Sequence, residues 1–94
     1  MNIEEPIEFL WDKGNFDKNL SKHNVTNEEI EQVFWDYNKK IYVDHKHSGI
    51  EIRHILLGKT FAGRILFIVF TIRKYKIRVI SARDLNKKEK LLYI

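Results

Sequence analysis

The longest apolar stretch in the sequence, residues 65–70 (ILFIVF), constrains the fold more than any other feature. An uninterrupted apolar run of this length is typical of a central β-strand that is covered on both faces. Lys74-Tyr75 separates residues 64–73 from a second strand-like segment, residues 76–83, which predicts an antiparallel hairpin with a tight turn. Because a membrane-spanning helix needs about 20 apolar residues, we expect no membrane segment.

Two helices are predicted before this hairpin. Asp12 is a suitable N-cap for the first, and Asn24 can end it because asparagine tolerates the left-handed conformation. Thr26 opens the second helix, since its spacing to Glu29 is that of a capping box. The predicted helices are 12–22 and 26–36.

The remaining segments predict further strands and one more helix. Alternating or short apolar segments favour strands, and Asn86 has the cap spacing to Glu89 that begins a helix. The predicted strands are 7–11, 41–43, 50–58, 64–73 and 76–83. We therefore expect a single α+β domain over residues 1–94. It has a mainly antiparallel sheet of about four strands, two N-terminal helices and a short C-terminal helix.

Charge is distributed unevenly along the chain. Up to Asp36 there are three lysines and nine acidic residues, a net charge of −6, whereas from Tyr37 onward fourteen basic residues stand against four acidic ones, a net charge of +10. A basic half of this kind indicates contact with a polyanion such as RNA or with an acidic partner protein. A solvated basic surface without a partner is the alternative.

Cysteine and targeting signals are missing from the sequence. With no cysteine, disulfides and thiolate sites are excluded. The first residues, MNIEEPIEF, are acidic and lack the basic start and apolar run of a signal peptide. We therefore expect a cytoplasmic protein. His45 and His47 lie beside Asp44, but this spacing is not specific for metal ligation, and we predict neither a metal nor a cofactor.

Ordered motifs occur along nearly the whole chain, and the pairing of Lys22-His23-x-Val25 with Ile80-Ser81-Ala82-Arg83 is the most specific part of the pattern. The other segments are Trp11-Asp12, Asn19-Leu20, Glu28-Glu29, Val33-Phe34, Asp44, His47-Ser48, Glu51-x-Arg53, Gly58, Ile68-Val69-Phe70-Thr71-x-Arg73, Ile77-Arg78, Glu89 and Tyr93. In this order they resemble the BrnT family of toxins from type II toxin–antitoxin pairs. The chain departs from the family pattern in three places: Asn24 stands where the family usually has a glycine, the usual lysine near Asn15 is missing, and Asn27 stands where an aromatic residue is common.

The resemblance implies a fold similar to RelE-like bacterial ribonucleases and an endoribonuclease that blocks translation by cutting RNA without a metal. The RNA is cut on the ribosome or free of it. The resemblance also implies a BrnA-like antitoxin with a ribbon-helix-helix domain, through which the complex reaches operator DNA. Two alternatives stay open. One is a non-catalytic nucleic-acid-binding or co-repressor module that acts with its antitoxin, and the other is a degenerate toxin.

RNA cleavage without a metal needs a base for the 2′-hydroxyl, cations for the phosphorane and an acid for the leaving oxygen. Arginine suits the second task because its planar fork grips two phosphate oxygens. The candidate catalytic residues are Arg53, Arg83, Arg73, His47 and Tyr93. The candidate RNA-binding residues are Lys59, Arg64, Arg78, Lys87 and Lys88. Arg53 and Arg83 can instead be structural ion-pair residues, for instance with Glu51 or Glu89.

The hairpin separates these arginines. A two-residue turn places Arg73 and Arg78 near one end and Arg64 and Arg83 near the other, roughly 20 Å away. Side-chain alternation puts Arg78 and Arg83 on opposite faces unless a bulge intervenes. We therefore predict two basic patches, of which only one needs to be catalytic.

Overall fold

The computed structural model describes residues 7–94 as a four-stranded antiparallel sheet with three short helices. The elements are α1 (Lys18–His23), α2 (Asn27–Val33), β1 (Lys40–Val43), β2 (His54–Lys59), β3 (Ile65–Arg73), β4 (Lys76–Asp84) and α3 (Lys87–Tyr93). The strands lie in the order β1-β2-β3-β4, and neighbours are antiparallel. The predicted α+β architecture is confirmed. The further likeness to RelE-like ribonucleases and the single domain over residues 1–94 stay predictions.

The core lies between α2 and one face of the sheet. Phe34 and Phe70, both fully buried, meet edge to face with ring centroids 5.2 Å apart. The apolar run 65–70 lies in β3, which has a hydrogen-bonded neighbour on each side. Its side chains alternate between half-buried and buried, so the expected cover on both faces is complete only on the core face. The core cluster comprises Val25, Ile30, Val33, Phe34, Leu56, Leu66, Ile68, Phe70, Ile77, Val79 and Ala82.

Three of the four predicted capping signals are found where expected, although α2 ends at Val33, before the predicted residue 36. Asn24 adopts the left-handed conformation after α1, and Thr26 forms a complete capping box with Glu29. Asn86 forms a second capping box at the start of α3. The first helix starts later than predicted, at Lys18 instead of residue 12. The reason is that Asp17 has a φ of 56°, which interrupts a right-handed helix.

The predicted strand at residues 7–11 is reduced to a single parallel bridge between Phe9 and Ile77. Beyond that bridge, side chains take the place of a neighbouring strand along the outer edge of β4. The Asn15 amide donates to the Val79 carbonyl at 3.2 Å, and the Lys18 ammonium donates to the Ile80 carbonyl at 2.9 Å. These two side-chain hydrogen bonds end the backbone pairing along the outer edge of β4, and they protect that edge from pairing with other strands.

The β3–β4 hairpin has the predicted turn, with Lys74 and Tyr75 both at positive φ. It also contains a bulge, since Val69 pairs with Ser81 whereas Phe70 pairs with Val79. The bulge changes the alternation in β4, so that Arg78 and Arg83 lie opposite Thr71 and Phe67 of β3 and share one face. Opposite faces were expected only for a strand without a bulge, so the stated exception applies to β4.

The predicted strand at residues 50–58 begins only at His54, and residues 44–53 form a loop instead. In residues 7–94, no helix is long and apolar enough to cross a membrane.

Candidate active site, a basic cleft beside the 44–53 loop

A cleft of about 690 Å³ opens between the 44–53 loop, the hairpin and the segment that precedes α1. It contains four cations, one carboxylate and one imidazole. Its lining residues are Gly14, Asn15, Lys18, His47, Gly49, Ile50, Glu51, Arg53, Arg73, Arg78, Val79 and Ile80. The structure therefore brings together four of the predicted site residues: His47, Arg53, Arg73 and Arg78.

The 44–53 loop is held closed by hydrogen bonds around Asp44. The Asp44 amide donates to the Arg53 carbonyl at 2.8 Å, which joins the two ends of the loop. The Ser48 hydroxyl donates to the Asp44 carbonyl at 2.7 Å and accepts from the Arg53 amide at 2.9 Å. A short, polar sequence thus fixes where His47 and Arg53 enter the cleft.

Two of the cleft arginines are held by carboxylates. Arg73 forms a bidentate pair with Glu51, with both contacts at 2.7 Å. Arg78 donates to Asp12 at 2.6 Å. The hydrogen bond from Arg73 lowers the pKa of Glu51, so this carboxylate stays charged at neutral pH. Both pairs orient their arginines, and both neutralise part of the positive charge.

Arg53 differs from the other arginines. It is the one arginine of residues 7–94 whose guanidinium has neither an ion pair nor a hydrogen bond with another of these residues. Its predicted partner, Glu51, binds Arg73 instead. The Arg53 fork is therefore available for a phosphate oxygen without the loss of an existing ion pair.

Arg83 and Tyr93 lie outside this cleft, in a second polar cluster near α3. The Arg83 guanidinium binds Glu89 through contacts of 2.7 and 2.8 Å and lies 4.1 Å from the centroid of the Phe67 ring. The Tyr93 hydroxyl donates to Asp36. Burial and the Asp36 carboxylate together raise the pKa of Tyr93 to about 12, which makes the phenol a poor base at neutral pH.

The predicted RNA-binding lysines are also outside the cleft. The Lys59 ammonium lies 5.9 Å from the centroid of the Tyr93 ring, and Lys87 and Lys88 are exposed in the first turn of α3. Together with Arg83, these residues define an α3 patch. Its role in RNA binding, like the catalytic roles of the cleft residues, stays a prediction.

Arg64, another predicted RNA-binding residue, is surrounded by acceptors. Its guanidinium binds Glu29 at 3.2 Å and Asp84 at 2.7 Å, and it also donates to the carbonyls of His23 and Asn24. Arg64 thus joins β3 to the loop that follows α1. The hydrogen bond from Arg64 lowers the pKa of Asp84. Burial raises the pKa of Glu29, but the bonds from the Thr26 backbone and Arg64 lower it more.

These two carboxylates predict an acid-sensitive fold. Because the pKa values of Glu29 and Asp84 are lower in the folded protein than in the unfolded chain, their contribution to stability is present above about pH 4.5 and is lost as the pH falls below about 4. We expect the urea midpoint to decrease over that range. In an Arg64→Met variant the decrease should be smaller, and an equal decrease would contradict the assignment.

The contribution of Asn15 and Lys18 to the cleft was not predicted from the sequence. Lys18 and Asn15 belong to the acidic first third of the chain, and no spacing motif connected them with the arginines. Asn15 is buried and donates to the carbonyls of Leu10 and Val79. Three residues later, Lys18 supplies an ammonium to the cleft.

Asp44 and His47 contact each other as a pair and have no third side chain of a metal-binding type beside them in residues 7–94. The His47 Nδ1 lies 3.0 Å from the Asp44 Oδ2. Over the part of the chain that the structure describes, no group of three His, Asp or Glu side chains is arranged to hold a metal ion.

Comparison with known proteins gives one family match. The family model described as "Ribonuclease toxin, BrnT, of type II toxin-antitoxin system" matches residues 11–89. This range includes every residue that lines the cleft. No curated protein matches the chain at a significant level.

Proposed function

The chain belongs to the BrnT family of ribonuclease toxins from type II toxin–antitoxin systems, and from that premise we propose that it is a metal-independent endoribonuclease that inhibits translation. We further propose that it acts in the cytoplasm, that a BrnA-like ribbon-helix-helix antitoxin neutralises it, and that it reaches operator DNA only through that antitoxin. The observation that carries the proposal is a cleft that combines an uncommitted arginine, Arg53, with an imidazole, His47.

The proposed reaction is an internal transfer at phosphorus. The 2′-oxygen of the RNA attacks the adjacent phosphorus, the bond to the 5′-oxygen breaks, and the products have a 2′,3′-cyclic phosphate and a 5′-hydroxyl. Arg53 grips the non-bridging oxygens, on which negative charge increases in the transition state. His47 is the proton-transfer group, since histidine is the side chain best suited to exchange protons near neutral pH.

The other three cations of the cleft assist by binding the RNA backbone. Arg73 and Arg78 are oriented by Glu51 and Asp12, and Lys18 donates to a β4 carbonyl. Each of them retains donors that can face neighbouring phosphates. We propose that they position the strand and that Arg53 bears most of the charge stabilisation.

We assign the α3 patch a separate role in guiding the RNA. Arg83 and Arg73 are at opposite ends of the hairpin, which is too long for one phosphate to contact both. Because Tyr93 is bound to Asp36 and its pKa is raised, we propose that the phenol holds α3 in place and does not act as a base.

The test of this function is RNA cleavage by the purified protein in EDTA. We expect cleavage to persist in EDTA and to yield 2′,3′-cyclic phosphate ends. For variants that remove a cation from the cleft, the matched control is Lys22→Ala, which removes an exposed lysine outside the cleft and should cleave RNA normally. Loss of cleavage in EDTA that Mg²⁺ restores would contradict metal independence. Salt-sensitive RNA binding without turnover would favour the non-catalytic binding module.

Expression in cells tests the biological role. Growth and protein synthesis should stop when the chain is expressed alone and recover when the gene next to it, if it encodes a ribbon-helix-helix protein, is co-expressed. Arrest that this neighbour does not relieve would contradict the proposed partner.

A further inference from the structure

The Asp44 carboxylate is built to hold the ring of His47. Both of its oxygens lie within hydrogen-bond distance of the His47 Nδ1, at 3.0 and 3.2 Å. One of them also accepts the His47 backbone amide at 3.2 Å. The Asp44 side chain is only 13% exposed, whereas that of His47 is 60% exposed. One carboxylate therefore fixes both the backbone and the ring of His47, and leaves Nε2 as the ring nitrogen free to meet a ligand.

Asp44 remains ionised in this arrangement. Burial raises the pKa of its carboxyl, but the hydrogen bonds from the His47 ring and backbone lower it more. An ionised carboxylate can only accept, so the His47 Nδ1 must carry the proton between them. In the neutral ring the lone pair then lies on Nε2.

We infer that Asp44 is a positioning residue that keeps the neutral ring of His47 in the Nδ1–H form, so that Nε2 acts as the general base toward the 2′-hydroxyl of the RNA. This inference rests on the proposed function and deepens it. The charged groups that line the same cleft are Glu51 and Arg53 from the same loop, and Arg73, Arg78 and Lys18 from the neighbouring elements.

The proton and bond changes balance without a further reactant. The 2′-hydroxyl proton passes to Nε2 of His47 as the 2′-oxygen bonds to phosphorus. The bond from phosphorus to the 5′-oxygen breaks, and that oxygen takes a proton from water. The resulting hydroxide takes the proton from the His47 imidazolium. Asp44 keeps its charge throughout and stabilises the imidazolium, as the carboxylate does in a Ser-His-Asp triad.

The decisive variant is Asp44→Asn. It retains an oxygen that accepts the His47 amide, but it replaces the other oxygen with an NH₂ donor. That donor favours an Nδ1 without a proton, and so moves the ring proton to Nε2. We expect long-range ¹H–¹⁵N spectra to report this change of form. We also expect kcat to fall roughly 10- to 100-fold with little change in KM, since general base catalysis contributes about 10²- to 10⁴-fold.

Two controls separate positioning from a structural effect. The loss caused by Asp44→Asn should disappear in a His47→Ala background, because the two residues act as one unit. His45→Ala removes an exposed histidine of the same loop outside the cleft and should leave kcat unchanged. If Asp44→Asn does not fold, Asp44→Ser retains the backbone acceptor and is measured in its place.

The outcomes distinguish this inference from the proposed function. The role of Asp44 would be overturned if the His47 ring kept the same tautomer in Asp44→Asn. It would also be overturned if kcat fell strongly in His47→Ala but not in Asp44→Asn. Neither result would contradict the ribonuclease activity. Absence of RNA cleavage by the unaltered protein would overturn the proposed function and the base role, even if the ring changes form.

Discussion

Arg53→Ala is expected to lower kcat for RNA cleavage by about 10²- to 10³-fold, the usual cost of removing one preorganised donor from a developing oxyanion. The expectation follows from the free guanidinium of Arg53 in a cleft where Arg73 and Arg78 are already paired with carboxylates. Because the Arg53 side chain has no partner among the described residues, its removal leaves no carboxylate unpaired. Initial rates on a short RNA substrate, with folding checked by circular dichroism, measure the effect.

Three further variants test whether this effect belongs to Arg53. Arg53→Lys should restore only part of the activity, because an ammonium lacks the planar fork that binds two phosphate oxygens. Arg73→Ala should lose activity for two reasons, because it removes a cation that binds the RNA backbone and also leaves Glu51 unpaired in the cleft. Arg83→Ala should weaken RNA binding more than turnover. Full activity in Arg53→Ala together with loss of turnover in Arg83→Ala would move the active site to the α3 patch.

Signals that depend on a few adjacent residues were predictable from the sequence. The capping boxes at Thr26 and Asn86 and the left-handed Asn24 are found where the pattern indicated. The same is true of the Lys74-Tyr75 turn, whose register pairs Arg73 with Lys76. Each of these caps and turns is stabilised by residues next to it in the chain, and tertiary packing therefore seldom changes it.

Features that depend on distant contacts were not predictable. The bulge in β4 occurs where Asn15, Lys18 and Asn19 form hydrogen bonds to the outer edge of that strand. No local sequence pattern predicts this bulge. The bulge places Arg78 and Arg83 on one face, and the first residue of α1, Lys18, lines the cleft. The sequence therefore identified most of the cations of the site but not how they are grouped.

The acidic first third and the basic remainder of the chain form ion pairs with each other, which their net charges alone do not indicate. Two carboxylates from the acidic first third bind arginines of the basic remainder: Asp12 with Arg78, and Glu29 with Arg64. The two parts of the chain thus partly neutralise each other. Glu51 and Glu89 bind two further arginines. Arg53, which has no carboxylate partner among the described residues, marks the candidate site more clearly than the local density of positive charge does.

The second large effect is expected on stability, from Phe70→Ala. Phe70 is fully buried and packs against Phe34 and His54, with centroid distances of 5.2 Å in both cases. Truncation to alanine leaves a cavity beneath α2 and should cost about 3–5 kcal/mol of unfolding free energy. A domain of 94 residues has roughly 5–14 kcal/mol in total, so the variant should be close to unfolding at 37 °C.

Urea denaturation measures this cost against a matched substitution. Phe61→Ala removes the same ring from a position that is 77% exposed, and it should change the unfolding free energy by no more than about 0.5 kcal/mol. We expect the urea midpoint of Phe70→Ala to fall sharply while the slope of the transition stays constant, since the surface exposed on unfolding hardly changes. Equal midpoints for the two variants would mean that β3 is not the centre of the core, and would remove the scaffold on which Arg73 and the cleft depend.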